Sequence, residues 1–157
     1  MKKLLLLALI FAHFFALAQN EHKLYHENGN LAGQGHLDKN GEKTGEWKLY
    51  YSNGTFWAIG RYKHGKKTGK WKHNALDGTL WTIGHYKNDN MGKWKYYHEN
   101  GKLKEIGKYE NNKRAGNWKR FFENGQLWMI GKYKDGEKTG EWKYYNENGK
   151  LTKTENY

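Results

Sequence analysis

The sequence predicts an all-β fold: one elongated antiparallel meander sheet of six stacked β-hairpin repeats. Three observations predict it. Five tryptophans, Trp47, Trp71, Trp94, Trp118 and Trp142, recur at spacings of 24, 23, 24 and 24 residues, a period that marks a repeat array rather than one closed core. An Asn-Gly or Asp-Gly pair follows each at a fixed distance, ending at Gly54, Gly78, Gly101, Gly125 and Gly149, which is the strongest short hairpin signal. The 157 residues contain no proline, as suits strands that must donate every ladder hydrogen bond.

The chain opens with a segment that does not belong to the array. Met1-Lys2-Lys3 is a short positive start, Leu4 to Phe15 is apolar apart from His13, and Ala16-Leu17-Ala18 reads as a cleavage site. Residues 1–18 therefore read as a signal peptide and 19–157 as the mature repeat array. The apolar run falls short of the ~20 residues that a membrane span needs. The chain has no cysteine, which excludes a disulfide framework and a lipid-modified cysteine. The expected destination is the periplasm or the exterior, after cleavage near Ala18. Loss of Lys2 and Lys3 takes the formal charge from +12 to +10. Such a surface favours acidic proteins, phospholipid headgroups or envelope polymers, and export makes nucleic acid the least favoured partner.

Each tryptophan starts a first strand. Counting it as position zero, lysine follows at one (Lys48, Lys72, Lys95, Lys119, Lys143) and an aromatic residue at three (Tyr50, Tyr97, Phe121, Tyr145), with Asn74 the exception. After the turn, the second strand carries Phe56, Leu80, Leu103, Leu127 and Leu151 at nine, and Trp57, Trp81 and Trp128 at ten. Ile59, Ile83, Ile106 and Ile130 stand at twelve, Gly60, Gly84, Gly107 and Gly131 at thirteen, and Tyr62, Tyr86, Tyr109 and Tyr133 at fifteen. A charged loop containing glycine then leads to the next copy. The template also finds a divergent first copy at His22, Lys23, Tyr25, Asn28-Gly29, Leu31 and Gly35, and a last copy with Thr154 and Glu155 in place of Ile and Gly. Atypical end repeats are expected caps. The repeats run near 22–46, 47–70, 71–93, 94–117, 118–141 and 142–157.

A two-residue turn at positions six and seven sets the register so that residue n faces residue 13−n. Trp47 then lies opposite Gly60, and Gly45 opposite Tyr62, each aromatic covering a gap that a strand glycine leaves. Pairing across the long loop sets Trp71 against Gly60 and Tyr62 against Gly69. In the 23-residue copy the same rule sets Trp94 against Gly84 and Tyr86 against Gly92, with the missing residue in the loop. One face is expected to carry the tryptophans, Leu and Tyr; the other carries the position-three aromatics, the Trp at ten, the Ile and the lysine row.

The unit G-x-W-K-x-Y-x-x-N-G-x-L-x-x-I-G-x-Y, repeated from Gly45-Glu46-Trp47-Lys48 to Gly69-Lys70-Trp71-Lys72 and beyond, resembles the MORN-repeat variant family over His22 to Tyr157. The resemblance implies stacked hairpins in an elongated sheet, a scaffolding or membrane-lipid role, and no catalytic residues. Its bacterial group includes YwqK-like antitoxins thought to neutralise secreted toxins. That implies an immunity role in the cytoplasm, from which the leader departs.

Chemistry finds little purchase. Gly60 to Lys67 looks like a phosphate loop but lacks the Ser/Thr after lysine and leads into a strand. Glu99, Glu123 and Glu147 recur beside the turns, about 10 Å or more apart along one edge, as solvated residues rather than a catalytic pair. The histidines show no ligand spacing. No cofactor, metal or catalytic residue is expected, and the chain reads as a non-enzymatic protein. Lys48, Lys72, Lys95, Lys119 and Lys143 with Trp57, Trp81 and Trp128 are the candidate binding surface. The first expectation is an exported protein–protein interaction or scaffold module, antitoxin- or immunity-like. The alternative is a binder of anionic membrane lipid, glycan or other envelope polymer through that basic and aromatic face. Pairing of two ribbons to hide their aromatics is the self-association open to such a sheet.

Overall fold

The computed structural model describes residues 21–157, and the leader expected over residues 1–18 lies outside them. Twelve strands form a single antiparallel sheet in chain order. They are β1 (His22–Tyr25), β2 (Leu31–Leu37), β3 (Lys43–Tyr50), β4 (Phe56–Lys63), β5 (Lys66–Asn74) and β6 (Leu80–Lys87), followed by β7 (Asn90–Tyr97), β8 (Leu103–Glu110), β9 (Lys113–Phe121), β10 (Leu127–Lys134), β11 (Glu137–Tyr145) and β12 (Leu151–Asn156). At ~4.8 Å per strand the sheet extends about 50 Å across its strands.

The register within each hairpin is the one the spacing predicts. Trp47 pairs with Gly60 and Gly45 with Tyr62; Trp71 pairs with Gly84 and Gly69 with Tyr86. Trp94 pairs with Gly107 and Trp118 with Gly131. The turns reach that register by another route. Around Gly54, the Tyr51 amide donates to the Thr55 carbonyl at 2.8 Å and the Gly54 amide to the Tyr51 carbonyl at 2.9 Å. This encloses three residues instead of two. Only Gly54 takes positive φ, +85°, while Asn53 acts through its side chain, whose Oδ1 accepts the Thr55 amide at 2.9 Å. A three-residue loop of this kind needs one left-handed residue, not two. It shifts the pairing by one residue, since Tyr50 faces Phe56. A bulge at Trp57 then restores the sum, and Leu49 faces Ala58.

The connections between repeats also differ from expectation. The last four charged loops are two-residue turns with both residues at positive φ, His64-Gly65, Asn88-Asp89, Asn111-Asn112 and Asp135-Gly136, whereas the first, between β2 and β3, encloses three residues between Asp38 and Glu42. Tyr62 pairs with Lys67, not Gly69, and Lys63 pairs with Lys66 across the turn. The surplus residues form a bulge next to the tryptophan, where Gly69 has φ +66°. The 23-residue copy therefore loses its residue from this bulge and not from the turn: Tyr86 pairs with Met91, not Gly92, and Lys87 with Asn90. The omission has a local consequence. Trp71, Trp118 and Trp142 donate their Nε1–H to the carbonyls of Arg61, Lys108 and Lys132 at 3.1–3.3 Å, whereas buried Trp94 Nε1 has no partner among the described residues.

The core is a ladder lying on one face of this single layer. Trp47, Trp71 and Trp142 are fully buried. The indole of Trp71 lies over Gly60 of the preceding strand, where a Cβ would sit 2.1 Å from the ring; Gly84, Gly107 and Gly131 carry Trp94, Trp118 and Trp142 in the same way. Tyr62 stands edge-on between Trp47 and Trp71, with centroids at 6.2 and 5.1 Å, and Tyr86 between Trp71 and Trp94. A cation crowns most rungs: Lys43 lies 4.5 Å from the Trp47 ring, Lys67 4.9 Å from Trp71, Arg114 4.3 Å from Trp118 and Lys138 4.6 Å from Trp142. Aromatic pairs contribute ~0.5–1.5 kcal/mol beyond area burial, and cation–ring contacts ~0.5–2 kcal/mol. Burial holds the Lys43 and Lys67 ammonium groups below their ordinary pKa, and for Lys43 the charge of Lys67 adds to this. Turn asparagines tie successive repeats together: Asn100 and Asn124 donate to the carbonyls of Glu123 and Glu147 at 3.0 and 3.1 Å.

Candidate functional site

The bulge at position ten divides the candidate surface between two faces. Trp57 packs on Tyr51 and His73, with centroids at 6.0 and 5.9 Å, and His73 itself stacks on Trp71 at 5.8 Å. Trp81 contacts Tyr96, and Trp128 lies against Phe122 and under the Arg120 guanidinium at 4.9 Å. These contacts set Trp57, Trp81 and Trp128 on the tryptophan face, beside the turns. They do not lie with the lysine row, as strict alternation predicts. The bulge puts two successive residues, such as Trp57 and Ala58, on one side of the sheet. For the same reason the position-nine residues leave the tryptophan face: Phe56 faces Tyr50, Leu103 faces Tyr97, and Leu127 faces Phe121.

The lysine face is a ladder of its own. Lys48 faces Ile59, which faces Lys72 on the next strand. The series continues through Ile83, Lys95, Ile106, Lys119, Ile130 and Lys143. Each lysine thus has isoleucine neighbours along which its methylene stem can lie while its charge reaches water. Lys143 pairs with Glu141 at 2.8 Å. Lys48, Lys72, Lys95 and Lys119 make no ion pair among the described residues. Flanking rows add charge: Lys70 faces His85, and Lys93 lies directly opposite Lys108. Like charges in opposed positions destabilise a sheet. Shallow hollows open on this face over the glycines; that around Gly107, rimmed by Lys93, Lys108 and Lys119, measures 870 Å³. A second of 530 Å³ lies at Gly60 between Arg61, Lys70 and Lys72.

Two polar groupings escape sequence reasoning. On the tryptophan face Glu105 is buried between Arg114 and Arg120, with oxygen–nitrogen distances of 3.0 and 3.7 Å. It occupies the position of Ala58, Thr82 and Met129. Beside it the Tyr96 and Tyr109 hydroxyls meet at 2.8 Å, and burial raises the Tyr96 phenol far above its usual pKa. The register rule alone brings Glu105 to face Tyr96 and Arg120, so this cluster was open to finding. The second grouping is Asp38, Glu42 and His64, whose ligand atoms lie within 4.8 Å of one another. His64 Nδ1 lies 3.4 Å from Asp38 Oδ2, while Asp38 Oδ1 accepts the amides of Asn40 and Glu42. It comes from two successive turns and has no spacing signature. Glu99, Glu123 and Glu147 stand at three successive turns, and neither grouping joins them.

No curated protein matches the chain. One similar solved structure is a crystal structure of a GtfA/B complex bound to UDP and GlcNAc, at 12% identity and a TM-score of 0.31; the match covers 86% of this chain and 26% of that one, so the chain spans about a quarter of that protein's length. The MORN repeat variant model matches six segments, 19–39, 43–64, 67–88, 92–111, 114–135 and 138–157, and from β3 to β12 each segment holds one hairpin of the sheet. The matched segments make up most of the sequence, and the chain belongs to the MORN repeat variant family, a family of binding repeats and not of enzymes.

Proposed function

We propose that this chain is an exported, non-catalytic interaction module that docks an acidic partner protein along its lysine face. The observation that carries the reading is the row of Lys48, Lys72, Lys95 and Lys119, none with a counter-ion among the described residues, beside Lys93, which stands opposite Lys108, whose own ammonium pairs with Glu110 at 2.7 Å. A fold that keeps like charges opposed forgoes stability, and an acidic partner would restore it while the regular pitch sets the docking register. The isoleucines between the lysines supply apolar contact, and the charges steer the approach. An immunity-type role, with a secreted toxin as the partner, is the finer form of this proposal.

Capture from an envelope fraction tests it, using the mature chain and a Lys72→Glu/Lys95→Glu/Lys119→Glu variant at low and high salt. The expected result is a saturable acidic protein held by the parent chain and released by charge reversal or salt. Equal retention by parent and variant would sink the reading. Sedimentation with anionic vesicles, absent with neutral ones, would move the lysine face to a lipid role.

A further inference from the structure

We propose a second binding site at the turn edge of the sheet: a groove lined by Trp81 and Trp128 that takes an extended, uncharged polysaccharide. The first argument is that the fold does not need these indoles. The hairpins of the first, fourth and last copies carry Ala32, Lys104 and Thr152 at position ten, yet form the same register shift after their turns. All five position-zero tryptophans are buried, whereas Trp81 is 50% and Trp128 37% exposed. A large aromatic group that the sheet can do without, kept at the surface, is better suited to contact than to packing.

The second argument is the groove. An open cleft of 310 Å³ lies between Trp81 and Lys104, and one of 470 Å³ between Lys104 and Trp128. The two share His98, Lys104 and Glu123 as a common rim, so they follow one another along the turn edge from the third repeat to the sixth. The His98 ring is held in place by its bond to the Phe121 carbonyl at 2.9 Å.

The third argument is pitch. Trp57 and Trp81 stand on β4 and β6, two strands apart, and Trp81 and Trp128 on β6 and β10, four apart. Their spacings along the sheet are thus multiples of ~10 Å. That is about the length of a disaccharide unit in an extended β-linked glycan, so Trp81 and Trp128, the two that line the clefts, would meet equivalent sugar faces.

The fourth argument is charge. Lys104 and Arg120 line the groove with Glu123 and Glu147, and Arg120 is already committed to Glu105. The groove has no dominant sign, unlike the lysine face. It offers donors and acceptors beside flat apolar surfaces, which suits hydroxyl groups around a ring whose C–H face stacks on indole. An apolar peptide would leave Glu123 and Glu147 without partners.

Affinity electrophoresis and tryptophan fluorescence test this site with a panel of hydroxyethylcellulose, laminarin, xylan and chitohexaose. Dextran serves as an α-linked control and polygalacturonate as an anionic one. The parent chain is expected to bind at least one neutral β-linked member. Trp81→Ala/Trp128→Ala should weaken that binding about tenfold or more while leaving the urea midpoint near that of the parent. Lys104→Trp should strengthen it by joining the two half-sites. The lysine-face triple variant should bind the same glycan unchanged, which separates this site from the protein-docking reading. Absence of binding to every neutral member, retention by polygalacturonate alone, or equal binding by the double tryptophan variant would each overturn the proposal.

Discussion

The indole of Trp71 lies on the backbone of Gly60, so close that a Cβ at Gly60 would fall 2.1 Å from ring atom Cδ2. The register places glycine on both sides of this tryptophan, Gly60 before it and Gly84 after it. The ring uses only the earlier one, because Gly84 already carries Trp94. Each repeat thus rests its tryptophan on its predecessor, and the interface between repeats is the core itself.

Gly60→Ala should therefore be costly. A methyl group in contact with a rigid buried indole forces backbone movement, and overpacking of this kind costs about 1–3 kcal/mol. Trp71→Ala should cost about 3–5 kcal/mol through the cavity it leaves. In the Trp71→Ala background, Gly60→Ala should lose most of its effect, since the clash is gone. Urea unfolding of the four variants, read as a double-mutant cycle, checks this; additive losses would contradict the stacking.

His73 should make the array acid-sensitive. It is 6% exposed, wedged among the rings of Trp57, Trp71 and Trp94. Burial, helped by the charge of Lys67, lowers its pKa to about 4 from 6.5. The unfolded chain then binds the proton more readily than the folded one between these values, so stability rises with pH across that window. It is lost as pH falls from about 6.5 towards 4, up to about 3 kcal/mol in all. His73→Leu should flatten this part of the profile. An unchanged slope between pH 7 and 4 would show that another group titrates.

The short repeat should be repairable. Inserting threonine after Met91 would rebuild the Lys67-Thr68-Gly69 pattern ahead of Trp94 and let its Nε1–H reach the His85 carbonyl. A regained hydrogen bond to a buried donor is worth about 1 kcal/mol or more. The Trp94 indole proton should become slower to exchange and the unfolding midpoint should rise; a drop in midpoint would mean that the short bulge is the better fit.

Lys93→Glu should stabilise the free protein by a few tenths of a kcal/mol at low salt and less at high salt, because it removes the like charge opposite Lys108, whose ammonium it would then share with Glu110. The same change should weaken capture of an acidic partner. Melting curves at two ionic strengths, beside the capture assay, read both effects.

The sequence by itself determined the strands, their order and the pairing of each Trp with its Gly, because a period-two side-chain pattern with fixed turn positions admits only one register in which every glycine meets an aromatic ring. Only the tertiary structure decided where the residues without a partner went. Asn53 took the turn through its side chain and not through φ, which displaced one residue into a bulge at Trp57. That bulge carried Trp57, Trp81 and Trp128 away from the lysines and onto the tryptophan face. Alternation cannot foresee this, since a bulge is one residue outside the ladder and its position depends on which turn costs the backbone less. The lysine row kept its face because positions one and twelve lie beyond the bulge, inside the regular ladder. The Asp38, Glu42 and His64 grouping formed where two turns meet in space, a closeness that exists only once the repeats are stacked.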